Sequence, residues 1–164
     1  MPAEWEPHER CLLAWPGEDL VSTRLLTAAK LDYALVARAI SEFEPVLVLA
    51  RPGFGPEVAA ACGPRVDVAE VPFAAAWIRD SGPIFARRNG TEIVAVDFEF
   101  NGWGSTLPAS AHGETAGASV AALLGVERVA VPLVLEGGAV TTDGEGTLIA
   151  VEATILNENR NPGV

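Results

Sequence analysis

The chain has 164 residues, enough to bury a sizeable core as one domain, and its 49% hydrophobic against 20% charged residues exclude disorder as the main state. Aspartate and glutamate number 22 against 11 lysines and arginines, and the formal net charge of -11 repels a phosphate backbone, so no nucleic acid partner is expected. No apolar run reaches membrane-spanning length, the opening lacks the basic start and apolar stretch of a secretory signal, and with neither cysteine in a Cys-x-x-Cys pair and the two histidines far apart in sequence a zinc site is unsupported. A soluble cytoplasmic protein with no membrane partner and no metal is therefore expected.

Cys11 to Trp15 reads as a short buried strand stopped by Pro16-Gly17, after which Ser22 or Thr23 caps a helix running to about Phe43. Leu25, Ala29, Tyr33, Val36, Ile40 and Phe43 share one face of that helix, which predicts that this stripe is buried. Pro45 closes it before Val46 to Ala50, an apolar run short enough for an interior parallel strand. Strand, helix, strand points to an α/β architecture. Glu57 to Cys62 predicts a short helix, and Val66, Val68 and Val71 a strand ended by Pro72. Ile84 to Arg87 and Glu92 to Val96 are strands joined through Asn89-Gly90, a pair suited to the positive φ angles of a tight hairpin. Gly117 to Gly125 reads as a helix end and Val129 to Leu135 as a buried strand carrying one proline.

A single offset of 56 residues aligns Asp80 with Glu136, Gly82 with Gly138, Ile84 with Val140, Gly90 with Gly146, Thr91 with Thr147 and Ile93 with Ile149. The shared unit reads as a strand, an acid-glycine corner and a hairpin, repeated around a common axis with Asp80 and Glu136 at equivalent corners.

At the first corner, Trp77-Ile78-Arg79-Asp80-Ser81-Gly82-Pro83 turns sharply, with Gly82 free to take unusual angles and Pro83 fixing the exit. A carboxylate accepts two parallel hydrogen bonds from a planar guanidinium and an indole face attracts the same cation, so Asp80 and Trp77 suit such a ligand. The competing reading pairs Asp80 with Arg79 or Arg87 and packs Trp77 in the core. At the second corner, Glu136 before Gly137-Gly138 either orients a base and shares protons or faces water in a turn. Asp143-Gly144-Glu145-Gly146 lacks the rest of a calcium loop and reads as a hairpin turn. Asn101-Gly102-Trp103-Gly104 is a rigid loop whose Trp103 either contacts a substrate or packs in the core. No nucleophile elbow, Walker loop or dinucleotide fingerprint is present.

These segments together resemble the agmatine deiminase family of guanidine-modifying penteins, nearly end to end. Residues 2–9 and Ala14-Trp15-Pro16 look like its opening, and residues 76–83 and 100–104 like its middle motifs. Residues 135–138, 143–147 and 156–162 continue the series in order. The resemblance implies an α/β fold, a partial pentein-type propeller of repeated strand and helix units around a central site. Residues 1–164 would form the N-terminal portion of that single domain, with the C-terminal part missing.

It also implies hydrolysis of agmatine to N-carbamoylputrescine and ammonia, a step toward putrescine, with no metal or organic cofactor. By motif position Asp80 binds the guanidinium, Trp77 lines its site, and Glu136 works with a histidine in proton transfer, while Trp103 is assigned a substrate contact from its loop. The family's histidine, the aspartate after it and its nucleophilic cysteine would lie beyond Val164. Cys11 and Cys62 are read as structural thiols, and His112 as no base. Phe73-Ala74-Ala75-Ala76 also departs from the family, which carries acids there. The isolated chain is thus expected to be inactive and to self-associate through unpaired edges and exposed apolar surface. Two alternatives remain: a relative acting on arginine or peptidyl-arginine, and a non-catalytic protein that binds a cationic amine or pairs with another subunit.

Overall fold

A computed structural model describes residues 1–18, 22–74, 76–106 and 116–164, and divides the chain into two compact units. Residues 7–78 form one, and residues 1–6 with 79–164 the other.

The unit of residues 7–78 is a parallel three-stranded sheet with two helices. Strands β1 (Cys11–Ala14), β2 (Val46–Ala50) and β3 (Val66–Glu70) lie in the order β1-β2-β3, with Cys11 beside Val46 and Val46 beside Val66. Helices α1 (Thr23–Ile40) and α2 (Gly55–Cys62) provide the crossovers that parallel strands require. All five residues of β2 are buried, as the unbroken apolar run implies for the central strand. Its core joins Trp15, Ala34, Ala37, Val46, Val48, Ala50, Val58, Cys62 and Val66.

The buried stripe of α1 is not the one that the apolar spacing predicts. Ala34 and Ala37 are fully packed and Tyr33 and Ile40 partly so, while Leu25, Val36 and Phe43 are exposed. The helix is rotated so that small alanines meet the sheet, which permits a closer approach than larger side chains would. It also ends at Ile40, with Ser41 as its cap, and residues 41–44 form turns up to Pro45. Lys30 Nζ lies 2.6 Å from Glu57 Oε1, and Trp15 Nε1 donates to the same oxygen at 3.1 Å. The Lys30 hydrogen bond holds the Glu57 carboxyl below its ordinary range, with a smaller contribution from Trp15. A depressed carboxylate stabilises the fold at neutral pH, and that contribution is lost as pH falls through the acid range.

In the second unit, one helical turn, α3 (Ile78–Ser81), leads into β4 (Ile84–Arg88), which pairs antiparallel with β5 (Glu92–Glu99). Asn89 (φ 52°) and Gly90 (φ 82°) both take positive φ, giving the tight hairpin that their dipeptide predicts. Helix α4 (Ala116–Leu124) then returns the chain to β6 (Glu127–Val134), parallel to β5. Between Phe98 and Glu99 the partner on β6 jumps from Val131 to Val134. Pro132 lies in that gap and has no N–H to give the ladder, so the strand bulges there and re-aims the residues after it. A second hairpin pairs β7 (Val140–Thr142) with β8 (Leu148–Ala150), followed by the helical turn α5 (Glu152–Ile155).

Three small sheets with flanking helices make this a mixed α/β fold among the described residues. The 56-residue offset is realised in part: Ile84 opens β4 and Val140 opens β7. The loops differ, since Arg88 faces Glu92 whereas Thr142 faces Leu148. In the longer loop, Asp143 Oδ1 accepts from the Glu145 and Thr147 amides at 2.8 and 3.0 Å, so this carboxylate builds the turn. No helix among the described residues is long and apolar enough to cross a membrane.

The rotation of α1 has a direct test in urea unfolding. Ala37→Leu, at a position 1% exposed, is expected to cost about 1–3 kcal/mol by overpacking. Val36→Ala, at a position 48% exposed, is expected to stay within about 0.5 kcal/mol of wild type. The reverse ranking would restore the stripe read from spacing.

Candidate functional site

The first corner is approached by a segment that Arg51 holds in place. Its Nε donates to the Phe73 carbonyl at 3.2 Å and its Nη2 to the Ala74 carbonyl at 3.0 Å, with the guanidinium 4.5 Å above the Phe73 ring. Trp77 is 51% exposed, which removes it from the core. Asp80 sits in α3, whose helical turn makes the corner. Gly82 is not among the positive-φ glycines, so the unusual angles expected of it are not what turns the chain.

Nor does Asp80 pair with a neighbouring arginine. Arg79 Nη2 binds Glu4 Oε1 at 2.6 Å, and Arg87 Nη1 binds Glu6 Oε2 at 2.6 Å. Asp80 receives two neutral donors instead: the Gly138 amide reaches Oδ1 at 2.9 Å and the Trp103 indole N–H reaches Oδ2 at 3.0 Å. Both donors orient the carboxylate without neutralising it, and each oxygen keeps a second lone pair.

The second corner is built around Glu136, which is 3% exposed and therefore not a turn residue facing water. It ends the extended stretch after β6, and a 3-10 turn at Gly137–Ala139 follows. A Cβ on Gly137 would overlap the Arg79 carbonyl oxygen, and one on Gly138 would overlap Asp80 Oδ1. Two glycines are needed here because the second corner passes against the first, not because of their φ angles.

Arg160 Nε lies 2.8 Å from Glu136 Oε1, and both side chains are largely buried. Glu136 Oε2 is buried with no hydrogen-bond partner among the described residues. Asn161 secures the approach to this corner by pairing with Val134 as a strand would. Its Oδ1 accepts from the Val134 amide and its Nδ2 donates to the Val134 carbonyl, both at 2.9 Å.

Trp103 reaches Asp80 from an unusual backbone. Gly102, Trp103, Gly104 and Ser105 all have positive φ, at 67°, 56°, 76° and 66°, so the loop is a single left-handed helical turn. That conformation costs roughly 1–2 kcal/mol at each non-glycine residue. Asn101 offsets part of it, accepting from the Gly104 amide at 2.8 Å and donating to the Asn159 carbonyl at 2.9 Å. The Trp103 ring also meets Phe100 edge-on, with centroids 5.3 Å apart. Substrate contact and core packing were alternatives for Trp103; the turn gives it a packed edge and an N–H aimed at Asp80.

A Cβ on Gly104 would collide with Asn159 and with Arg160 Nη1. The contacts therefore close a circuit: Asp80 to Gly138, along the chain to Glu136, across to Arg160, against Gly104, and through Trp103 back to Asp80. Asp80, Trp103 and Glu136 are thus brought into one network within this unit. Trp77 belongs to the other unit. Arg160 and Asn161 were legible only as part of an ordered motif, with no role attached. Ala75 and His112 lie outside the described residues.

The sequence profile of the Porphyromonas-type peptidyl-arginine deiminase family matches residues 1–164. A Streptomyces avermitilis protein provisionally named an agmatine deiminase is 43% identical, covering 99% of this chain and 48% of that protein. The agmatine deiminase of Pseudomonas aeruginosa is 39% identical, over 99% of this chain and 46% of its own length. Among solved structures, the agmatine deiminase of Enterococcus faecalis superposes with a TM-score of 0.88 at 29% identity, covering 100% of this chain and 46% of that one. The chain spans about half the length of the curated relatives it matches, between 46% and 49% of each.

Removing Arg160 strands a buried carboxylate, so Arg160→Met is expected to cost about 3–5 kcal/mol in chemical denaturation. Adding Glu136→Gln to it is expected to recover most of that loss. Additive losses in the double variant would show that the two side chains are not a coupled pair.

Proposed function

The chain belongs to the Porphyromonas-type peptidyl-arginine deiminase family, and we propose that it is the substrate-binding part of an agmatine deiminase. The reaction is agmatine plus water to N-carbamoylputrescine and ammonia, in a soluble cytoplasmic enzyme on the way to putrescine. The observation that carries this reading is the state of Asp80: a carboxylate held by two neutral N–H groups, with no lysine or arginine paired to it among the described residues. Such a group has the charge and the spare lone pairs to take two N–H bonds from a guanidinium. The names of the relatives supply agmatine as the compound carrying it.

In this reading Asp80 binds the guanidinium and Trp103 lines its site, while Trp77 is assigned a substrate-binding role from its motif alone. Glu136 handles a proton. The reaction proceeds through attack of a thiolate on the guanidinium carbon, loss of ammonia, and hydrolysis of the resulting thiouronium by water.

We assign that nucleophile to neither cysteine of this chain. Burial pushes the Cys11 thiol up, with Glu44 adding to the effect, and burial pushes up the Cys62 thiol against a partial offset from Arg38. Both are biased away from the thiolate that the chemistry requires. The two acid-glycine corners are read as neighbouring repeats of a pentein-type α/β propeller. The exposed Leu31, Leu35 and Phe43 support self-association of the isolated chain.

Titration calorimetry on the 164-residue chain tests the binding half of this proposal. Agmatine is expected to bind more tightly than arginine, and Asp80→Asn is expected to weaken it roughly 10- to 100-fold through loss of a charged hydrogen-bonding pair. Binding that Asp80→Asn leaves unchanged would refute the assignment. The thiol assignment has its own test, in which these residues alone are expected to release no ammonia from agmatine. Turnover abolished by Cys11→Ser or Cys62→Ser would overturn it.

A further inference from the structure

Arg160 meets Glu136 through Nε, not through the tip of its guanidinium, and its Nη1 also contacts Asn159 Oδ1 at 3.2 Å. Two neighbouring N–H groups engaged in different directions fix both the plane and the rotation of the guanidinium. Asn159 is in turn tied to the left-handed turn, where its carbonyl receives the Asn101 side chain and its amide packs beneath Gly104. Arg160 is thus itself held from the element that carries Trp103.

On the other side it occupies Oε1 of Glu136 and leaves that carboxylate's Oε2 without a hydrogen-bond partner among the described residues. Charge neutralisation alone does not require this geometry, since any buried cation would satisfy the carboxylate. The single Nε contact, the Asn159 brace and the unoccupied second oxygen together select a direction as well as a charge.

We propose that Arg160 is a positioning residue for the reaction, fixing Glu136 Oε1 so that Oε2 alone exchanges a proton, and locking this carboxylate in register with Asp80 through the Trp103 turn. The inference rests on the proton-handling role proposed for Glu136. Oε2 takes up one proton and returns it within the same cycle, and the carboxylate forms no bond to the guanidinium carbon. Arg160 touches no substrate and gives up no proton. Its effect is on where Oε2 stands, and a displacement of about 1 Å in such a group costs on the order of 100-fold in rate.

The test is agmatine turnover in a full-length protein carrying these residues, comparing wild type with Arg160→Lys, Glu136→Gln and the double variant. Lysine keeps the charge but offers a single point donor on a flexible stem, so the fold is expected to survive while the aim of Oε2 is lost. The expected result for Arg160→Lys is a kcat lower by on the order of 100-fold. KM should stay within about 2-fold of wild type, because agmatine binding depends on Asp80. Arg160→Lys is expected to cost nothing further once Glu136→Gln is present, as for residues acting as one unit.

An Arg160→Lys enzyme with wild-type kcat overturns the inference, as does one that is inactive only because it is unfolded by circular dichroism. A large rise in KM at unchanged kcat overturns it too, by moving Arg160 to the binding step. If Glu136→Gln abolishes turnover while Arg160→Lys retains it, the positioning role fails alone. Full turnover in Glu136→Gln removes the proton-handling role and this inference with it.

Discussion

The candidate site depends on one close approach, the passage of Gly137-Gly138 against the corner that carries Asp80. The Gly138 amide reaches Asp80 Oδ1 at 2.9 Å, and neither glycine has room for a methyl group. This contact makes one assembly of two corners that are 56 residues apart in sequence. Through it, the orientation of the anionic group at the first corner and the path of the chain beside Glu136 at the second become a single geometric problem. Everything else that touches the two carboxylates refines that solution. Trp103 supplies the second donor to Asp80, Arg160 the counter-ion to Glu136, and Asn161 the anchor that holds the end of β6.

The electrostatic treatment of the two carboxylates is opposite, and the difference supports the separate roles proposed for them. Asp80 keeps its charge uncompensated by any cation among the described residues and is oriented by an amide and an indole. Glu136 is deeply buried and carries an arginine on one oxygen only. A carboxylate prepared for an external cation requires donors that do not cancel its charge. A buried carboxylate that acts internally requires a counter-ion, or its desolvation would oppose folding. One fold meets both conditions with residues from a short left-handed turn and from a motif near residue 160.

The strands, helices and first hairpin were legible from the sequence because each rests on a local signal: the apolar run of β2, the prolines after α1 and β3, and Asn89-Gly90. The buried face of α1 was not, because counting large apolar residues overlooks the alanines that close packing prefers. Nor is β6 the buried strand expected, since Val134 alone is buried along it, and its bulge at Pro132 depends on which neighbour the strand meets. At the site, the motifs singled out the two carboxylates that the fold brings into one network, and the repeat set Asp80 and Glu136 at corresponding corners. The Arg160 contact could not be read, because an ion pair spanning 24 residues has no local signature. The left-handed turn was anticipated only as rigidity: two glycines flanking Trp103 permit positive φ, but nothing in Asn101-Gly102-Trp103-Gly104 requires four such residues in succession.

The Asn161 clamp has a consequence for the order in which the molecule is made. Asn161 reaches back 27 residues to the backbone of Val134, and Arg160 reaches back 24 to Glu136. During vectorial synthesis the first hairpin can pair as soon as it emerges, because its strands are adjacent and its turn is preset. The second corner has to wait. Until residues 160 and 161 leave the ribosome, Glu136 has no counter-ion and the end of β6 has no partner on that side. A pause in translation between these segments would therefore hold a partly folded chain with the first hairpin paired and the end of β6 still an open strand edge, the kind of surface on which chaperones act.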